Sequence, residues 1–432
     1  MMTSDRQVWF SITIYRPRRD TLLACLSVAV AALLIWARCP SRLLAPELWA
    51  EDGDAWLQQA YDFGLSCLKM PLNGHLQTLP RATALVAVHL PLTAAPLMFA
   101  AVAFVVQLAP VALLFSARGK VLIPNLWIRF LLVSYYIGEP NASEVHVNLT
   151  NAMWHLSLVT FLIVVFPKPK TKPAILADVF FLIFAGLSGP FALFITPVAW
   201  WHVAVERTKP DHRKRVLYAI ILSLCAIIEG WSIITQGEGV REQHLGASLN
   251  RLVHILANQI FLGGMLGSTN LYTLMDQDWW VGLWPAASCC LLALGFAVYA
   301  LRAGPALYRQ FLLFCGLIMV SALASPVVSP VGSQWQSMQY LGVGDRYYVL
   351  PMLGWFATLL VVATHPSRSH VQWVARALIV CCSIGVAADW QYAPYPHSTY
   401  QDSAKLFDHA PAGTVVTFHQ NPEPLTFTLV KK

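Results

Sequence analysis

Nine separated stretches of this chain are each long and apolar enough to cross a lipid bilayer, and that property limits its folds more than any other. They lie at 20–38, 97–117, 121–138, 151–166, 216–235, 281–301, 306–325, 347–364 and 371–388. A tighter pair, 174–187 and 190–205, is joined by Leu187-Ser188-Gly189-Pro190. A span needs roughly 20 mostly apolar residues, because no water inside the bilayer can satisfy a bare backbone. Composition agrees: 57% of the 432 residues are hydrophobic and 12% are charged, with a mean hydropathy of +0.56. A soluble core does not need so much apolar length. The first run is too long and too poorly flanked by small residues for a cleaved signal peptide, so it reads as a retained helix.

The net charge of +7 does not point to nucleic acid, because the basic residues sit in short clusters between the apolar runs. Arg16-Pro17-Arg18-Arg19 precedes the first run, and Arg118 with Lys120 follows the second. Lys168, Lys170 and Lys172 come next, then five more from Arg207 to Arg215, then Arg302 with Arg309. The positive-inside rule places all of these in the cytoplasm. The N-terminus is then inside, and eleven spans leave the C-terminus outside. Two further stretches, 75–95 and 248–266, would reverse every later loop if counted as spans. Pro91 and Pro96 cut the first short, and Asn250, Arg251, His254, Asn258 and Gln259 stud the second with polar groups. Both are expected to be interfacial or re-entrant helices on the outer face; the alternative is one true span that breaks the charge rule once. The expected fold is an all-α polytopic membrane protein of about 11 transmembrane helices. Residues 1–388 form the membrane domain with a helical first outer loop at 39–81, and 389–432 form a short extracytoplasmic C-terminal segment. Within that segment Thr414 to Phe418 reads as a strand.

In a chain so short of charge, Leu48-Trp49-Ala50-Glu51-Asp52-Gly53-Asp54 stands out, with three carboxylates in four residues just beyond the first span. Isolated boundary carboxylates usually do no more than cap helices, and Glu51-Asp52 can cap a helix starting near Ala55. Three together, followed by His75 and Arg81, weigh against that plain reading. The next outer loop carries Glu144, Asn148 and Asn151, which share one face if the segment is helical. Later outer segments add Arg241, Glu242 and Asp345-Arg346-Tyr347-Tyr348. Arg346 beside two tyrosines also suits an interfacial anchor. Seven of the nine cysteines lie inside spans, and only Cys39 and Cys67 fall in the outer loop, where pairing depends on the compartment. There is no CxxC, HExxH, P-loop or GxGxxG motif to support zinc or nucleotide chemistry.

An apolar first helix followed by an outer loop opening on the acidic doublet Glu51-Asp52 resembles the GT-C superfamily of polyprenyl-phosphate-sugar-dependent glycosyltransferases. Pro71-Leu-Asn-Gly-His75 leading to Leu79-Pro80-Arg81 resembles the end of that loop. Glu144 with Asn148-Leu-Thr-Asn151 and Trp154 resembles the second acidic segment, and Gly344-Asp345-Arg346-Tyr347-Tyr348 the Arg-Tyr step entering a late helix. The resemblance implies an inverting membrane transferase of the bacterial inner (plasma) membrane, working on its extracytoplasmic side. Its donor would be a polyprenyl-phosphate sugar, and its acceptor an envelope glycan, lipid or protein. Asp52 would then be the general base, assisted by Glu51 or Glu144. Arg346, and secondarily Arg81, would grip the lipid phosphate in two-point fashion. His75, Tyr347, Asn148 and Asp54 would complete the substrate site, and the carboxylates fit mechanisms with or without a divalent cation. A transporter or flippase for a lipid-linked or small polar substrate is the competing expectation. It would concentrate charge and broken helices near the midplane.

Overall fold

A computed structural model describes residues 17–236, 244–328, 332–366 and 370–432, so Arg241 and Glu242 lie outside the described residues. Among the described residues, seven helices are long and apolar enough to cross a membrane: Asp20–Arg38, Leu92–Phe115, His212–Gln236, Leu283–Ala303, Ala306–Ala324, Asp345–Ala363 and His370–Ala388. An eighth is reached if the bent pair Leu249–Phe261 and Gly263–Met275, turned through 110°, is one span. Leu126–Gly138, Ala152–Val165 and Phe191–Val205 are shorter apolar helices. The architecture is that of a helical multi-pass membrane protein.

Side-chain burial sorts these helices into a centre and a shell. Every residue of Ala152–Val165 except Met153 is buried, as are all but two of Val349–Ala363. By contrast Leu22, Leu33 and Trp36 of the first helix, and Leu291 and Leu292 of Leu283–Ala303, point outward. Such bare apolar faces are at home against lipid. The 75–95 stretch forms a ten-residue helix, Thr78–Ala87, and a short turn at Leu92–Ala94. The 248–266 stretch holds the first arm of the bent pair, Leu249–Phe261, and runs past the bend into the second. Gly267 (φ 76°) breaks the second arm, and Asp389 caps the new start by accepting bonds from Ser268 N (2.7 Å) and Ser268 Oγ (3.0 Å).

The basic clusters gather at one end of the bundle. Arg118 holds Asp178 through two bonds of 2.8 Å, and the Tyr218 hydroxyl donates to the same carboxylate at 2.6 Å. Lys214 Nζ donates to Phe166 O at 2.9 Å nearby. Asp178 and Glu229 both lie inside apolar runs, so each places a carboxylate within the helical bundle. Glu229, fully buried, accepts a bond from Leu76 N at 3.0 Å and so pins the first loop to the His212–Gln236 helix.

The acidic segments gather at the other end. Arg38, 1% exposed, finishes the first helix and donates to the carbonyls of Ile137 (2.7 Å), Asp389 (2.8 Å) and Trp390 (3.1 Å). One guanidinium thus ties together three segments far apart in sequence. The tail is a helix, Tyr400–His409, and an antiparallel pair, β1 (Val415–His419) with β2 (Thr426–Val430), where a single strand was expected. Both strands alternate buried and exposed residues, and their buried faces stack Phe418 on Phe427. The tail closes on the first loop through Ala50 N to Asn421 O (2.6 Å) and Asn421 N to Leu48 O (3.1 Å). Gly53 allows this approach, since a Cβ there would collide with Gln420 Oε1 and the Phe427 ring. Gly53→Ala is therefore expected to loosen the tail, read as faster protease cleavage after residue 389 with the membrane domain intact. Cleavage at the wild-type rate would show that the tail does not rest on Gly53.

Candidate functional site

The Ala50–Asp52 turn carries Asp52 to a position 4% exposed, facing a narrow cleft. Its carboxylate accepts Trp49 N–H at 2.9 Å and the Thr150 hydroxyl at 3.1 Å. Thr150 in turn accepts the Trp56 indole N–H at 2.8 Å. The loop after the first helix and the loop around Thr150 are thereby joined at the carboxylate itself. Burial is the dominant influence on Asp52 and raises its pKa from 3.8 to about 7, against the lowering effect of the Trp49 and Thr150 hydrogen bonds. A carboxyl group poised there can exchange a proton at neutral pH. Glu51, beside it, is also shifted upward by burial, although Arg346 lies close enough to oppose that shift.

The cleft is lined by Arg42, Glu47, Trp49, Asp52, Asn148 and Tyr395, among others. About 10 Å³ of it is open to water, space for roughly one molecule. The Arg42 guanidinium lies 3.1 Å from the centre of the Tyr395 ring, and Trp49 stacks on the far side at 4.2 Å. Asn148 Nδ2 donates to the Tyr395 hydroxyl at 3.0 Å. Arg42 is 6% exposed, and its Nε and Nη1 have no hydrogen-bond partner among the described residues. A buried donor left so costs on the order of 1–3 kcal/mol. Burial lowers the Arg42 pKa to about 10, and Asp52 is among the groups that oppose the shift. The cleft therefore holds a proton-exchanging carboxyl group next to a cation with free donors.

Two residues around this cleft are held in conformations rare for their type. Ala50 has φ 49° and the β-branched Val147 has φ 46°, and backbones of this kind cluster at functional sites. Gln107 Oε1 receives Val147 N at 3.0 Å, and Tyr136 and His155 extend this buried network beneath the loop. The same kink corrects one expectation. Residues 144–151 do not form a helix, so Glu144, Asn148 and Asn151 share no helical face. They meet through a turn instead, in which Asn151 N donates to Asn148 Oδ1 and Asn151 Nδ2 to Glu144 O.

The other candidates separate into neighbours and outliers. Glu144 forms an ion pair with Arg346 and also accepts the Arg346 backbone N–H at 3.1 Å. Arg346 further donates to Val327 O, and Tyr347 packs edge-on to Trp154. Asp54 is exposed and accepts Ala55 N. Arg81 is fully buried, donates to Gln59 Oε1 at 2.8 Å and lies beneath the Trp56 ring. Its role there is to hold the first loop together. His75 contacts Asn73 O and pairs by backbone with Leu72, on the side of the loop that turns toward Glu229. Cys39 and Cys67 are free thiols. Among the described residues no cluster of three or more His, Cys, Asp or Glu is placed to hold a metal. Arg42 and Tyr395 were missed in the sequence. Arg42 had a faint signal as a charge four residues past a span, but Tyr395 had none.

Comparison with known proteins finds no matching family model, no matching curated protein and no matching solved structure.

Proposed function

We propose that the protein is a membrane glycosyltransferase of the GT-C type, acting with eleven spans from the extracytoplasmic face. The shorter apolar helices and Lys172–Gly186 would complete the seven long ones. The observation that carries the reading is the shared cleft of Asp52 and Arg42. Asp52 removes a proton from the acceptor hydroxyl or amine as the acceptor attacks the anomeric carbon. The sugar–phosphate bond breaks, and the departing polyprenyl phosphate carries away the negative charge. Arg42 meets that phosphate with its two unpaired nitrogens, while Arg346 is engaged with Glu144 and orders the neighbouring loop. Entry of a sugar requires the Tyr395 segment of the tail to move aside. In cells, removal of the Asp52 carboxylate tests the reading: the envelope glycan should lose one sugar while the protein level in the membrane holds. An unchanged glycan would refute it.

The pH dependence follows from Asp52. Its base form grows as pH rises through about 7, so transfer should rise along a limb centred there, and the limb should vanish in Asp52→Asn. Stability runs the other way. The folded chain retains a proton that the unfolded chain releases near 3.8, so the stabilisation is present below that pH and is lost as pH rises through about 7. A thermal melt of wild type against Asp52→Asn between pH 4 and 8 checks the sign.

A second reading, a transporter for a lipid-linked or small polar substrate, draws on Glu229 within an apolar helix and on the bent pair at 249–275. It expects Glu229→Gln to abolish function and Asp52→Asn to spare it.

A further inference from the structure

A second cavity lies at the basic end of the bundle, with about 300 Å³ open to water. Its walls come from the ends of the Ala152–Val165 and Phe191–Val205 helices and the starts of His212–Gln236 and Ala306–Ala324. Three polar side chains in those walls are more than nine-tenths buried: His202 (8% exposed), Arg215 (8%) and Gln310 (1%). Each carries one nitrogen without a partner among the described residues, namely His202 Nε2, Arg215 Nε and Gln310 Nε2. His202 Nδ1 and Gln310 Oε1 contact each other at 3.3 Å, which orients both side chains. Arg215 is held only loosely by Glu206, at 3.4 Å to the carbonyl and 3.9 Å to the carboxylate. Lys209 adds a second cation, and Glu206 is the one carboxylate of the lining.

Buried polar groups in native proteins are nearly always satisfied, so two orphan donors on one cavity, Arg215 Nε and Gln310 Nε2, point to a missing acceptor. Arg and Lys on the same wall favour an anion, and a guanidinium suits phosphate oxygens. The remaining wall is apolar, with Val121, Val205 and Leu307. Val121 and Val205 are 66% and 47% exposed at the rim, where a hydrocarbon chain can lie along them. The volume matches a headgroup-sized ligand. We propose that this cavity binds a phosphate group, with Arg215 and Gln310 as its donors and His202 orienting the Gln310 amide, at the end of the molecule opposite the Asp52 cleft. The site is independent of the transferase reading.

The test is thermal stability of the purified full-length protein in detergent, titrated with phosphatidic acid, with phosphatidylcholine and with inorganic phosphate. Phosphatidic acid should raise the melting temperature, phosphatidylcholine should not, and Gln310→Leu and Arg215→Gln should each weaken the phosphatidic acid effect by roughly tenfold or more in half-saturating concentration. Gln310→Leu also removes the Oε1 partner of His202 Nδ1, so the lipid shift of each variant is read against its own lipid-free melt. Arg213→Gln, an exposed neighbour, should titrate like wild type, which separates the site from general charge attraction. Stabilisation by inorganic phosphate, lost in the same two variants, would assign the cavity to soluble phosphate. Equal stabilisation of wild type and both variants, or equal effects of the two lipids, would overturn the proposal.

Discussion

Asp52→Asn should lower sugar transfer by roughly 10²–10⁴-fold, the usual worth of general-base assistance, with the protein still accumulating in the membrane. Asparagine is a near isostere. It keeps an acceptor for Trp49 N–H and a partner for the Thr150 hydroxyl, so the turn has no reason to collapse. The neighbouring carboxylates should rank below it. Asp54 faces solvent and holds only its own Ala55 N–H, so Asp54→Asn should be mild. Glu51→Gln should fall between, because Glu51 stands close enough to influence both Asp52 and Arg346. Initial rates of the three variants at matched protein levels settle the ranking. Equal, wild-type rates would reduce the cluster to a structural role, with Asp52 only tying the Trp49 turn to Thr150.

Arg42→Ala should cost roughly 10²-fold or more in use of the lipid-linked donor, since two charge-assisted bonds to phosphate are lost at once. Arg42→Lys should recover only part, because a point charge cannot make the two-point contact. The same substitutions at Arg346 discriminate between the two cations. Arg346→Ala frees Glu144 and loosens the second loop, and should reduce the rate without a selective rise in the donor concentration needed. A selective donor defect at Arg346 with none at Arg42 would move the phosphate to the Glu144 side of the site.

The contrast between these two arginines shows what the sequence carried and where it stopped. Long apolar runs dictate helices, so the long helices were legible from hydropathy, and prolines in 75–95 and polar residues in 248–266 marked those stretches as irregular, but the place of the bend at 262 was not legible. Asp52 was legible too, because a carboxylate cluster in a charge-poor chain stands out. The local path of 144–151 was not. The left-handed backbone at Val147 is imposed by Gln107 and the network beneath it, which no propensity encodes. Arg42 and Arg346 look alike in sequence, each a cation near a helix end. What distinguishes them is that Arg346 has found a carboxylate, while Arg42 lies on an aromatic face beside Cys39 and pairs with no carboxylate. That face belongs to Tyr395, about 350 residues downstream, and its arrival depends on Arg38 tying the tail to the first helix. Asp178 and Glu229 were hidden for the opposite reason: single carboxylates vanish in a hydropathy average, although burial makes each a fixed point of the bundle.

The most direct measurement uses detergent, where no leaflets exist and transport has no meaning. Purified wild-type and Asp52→Asn protein are incubated with the lipid-linked sugars and envelope extract of cells lacking the protein, and free polyprenyl phosphate is followed by mass spectrometry. A transferase releases polyprenyl phosphate together with a sugar-bearing acceptor in the wild type and not in Asp52→Asn. No release from the wild type, in material whose parent cells show an altered envelope glycan, would contradict the transferase account and leave the transporter in its place.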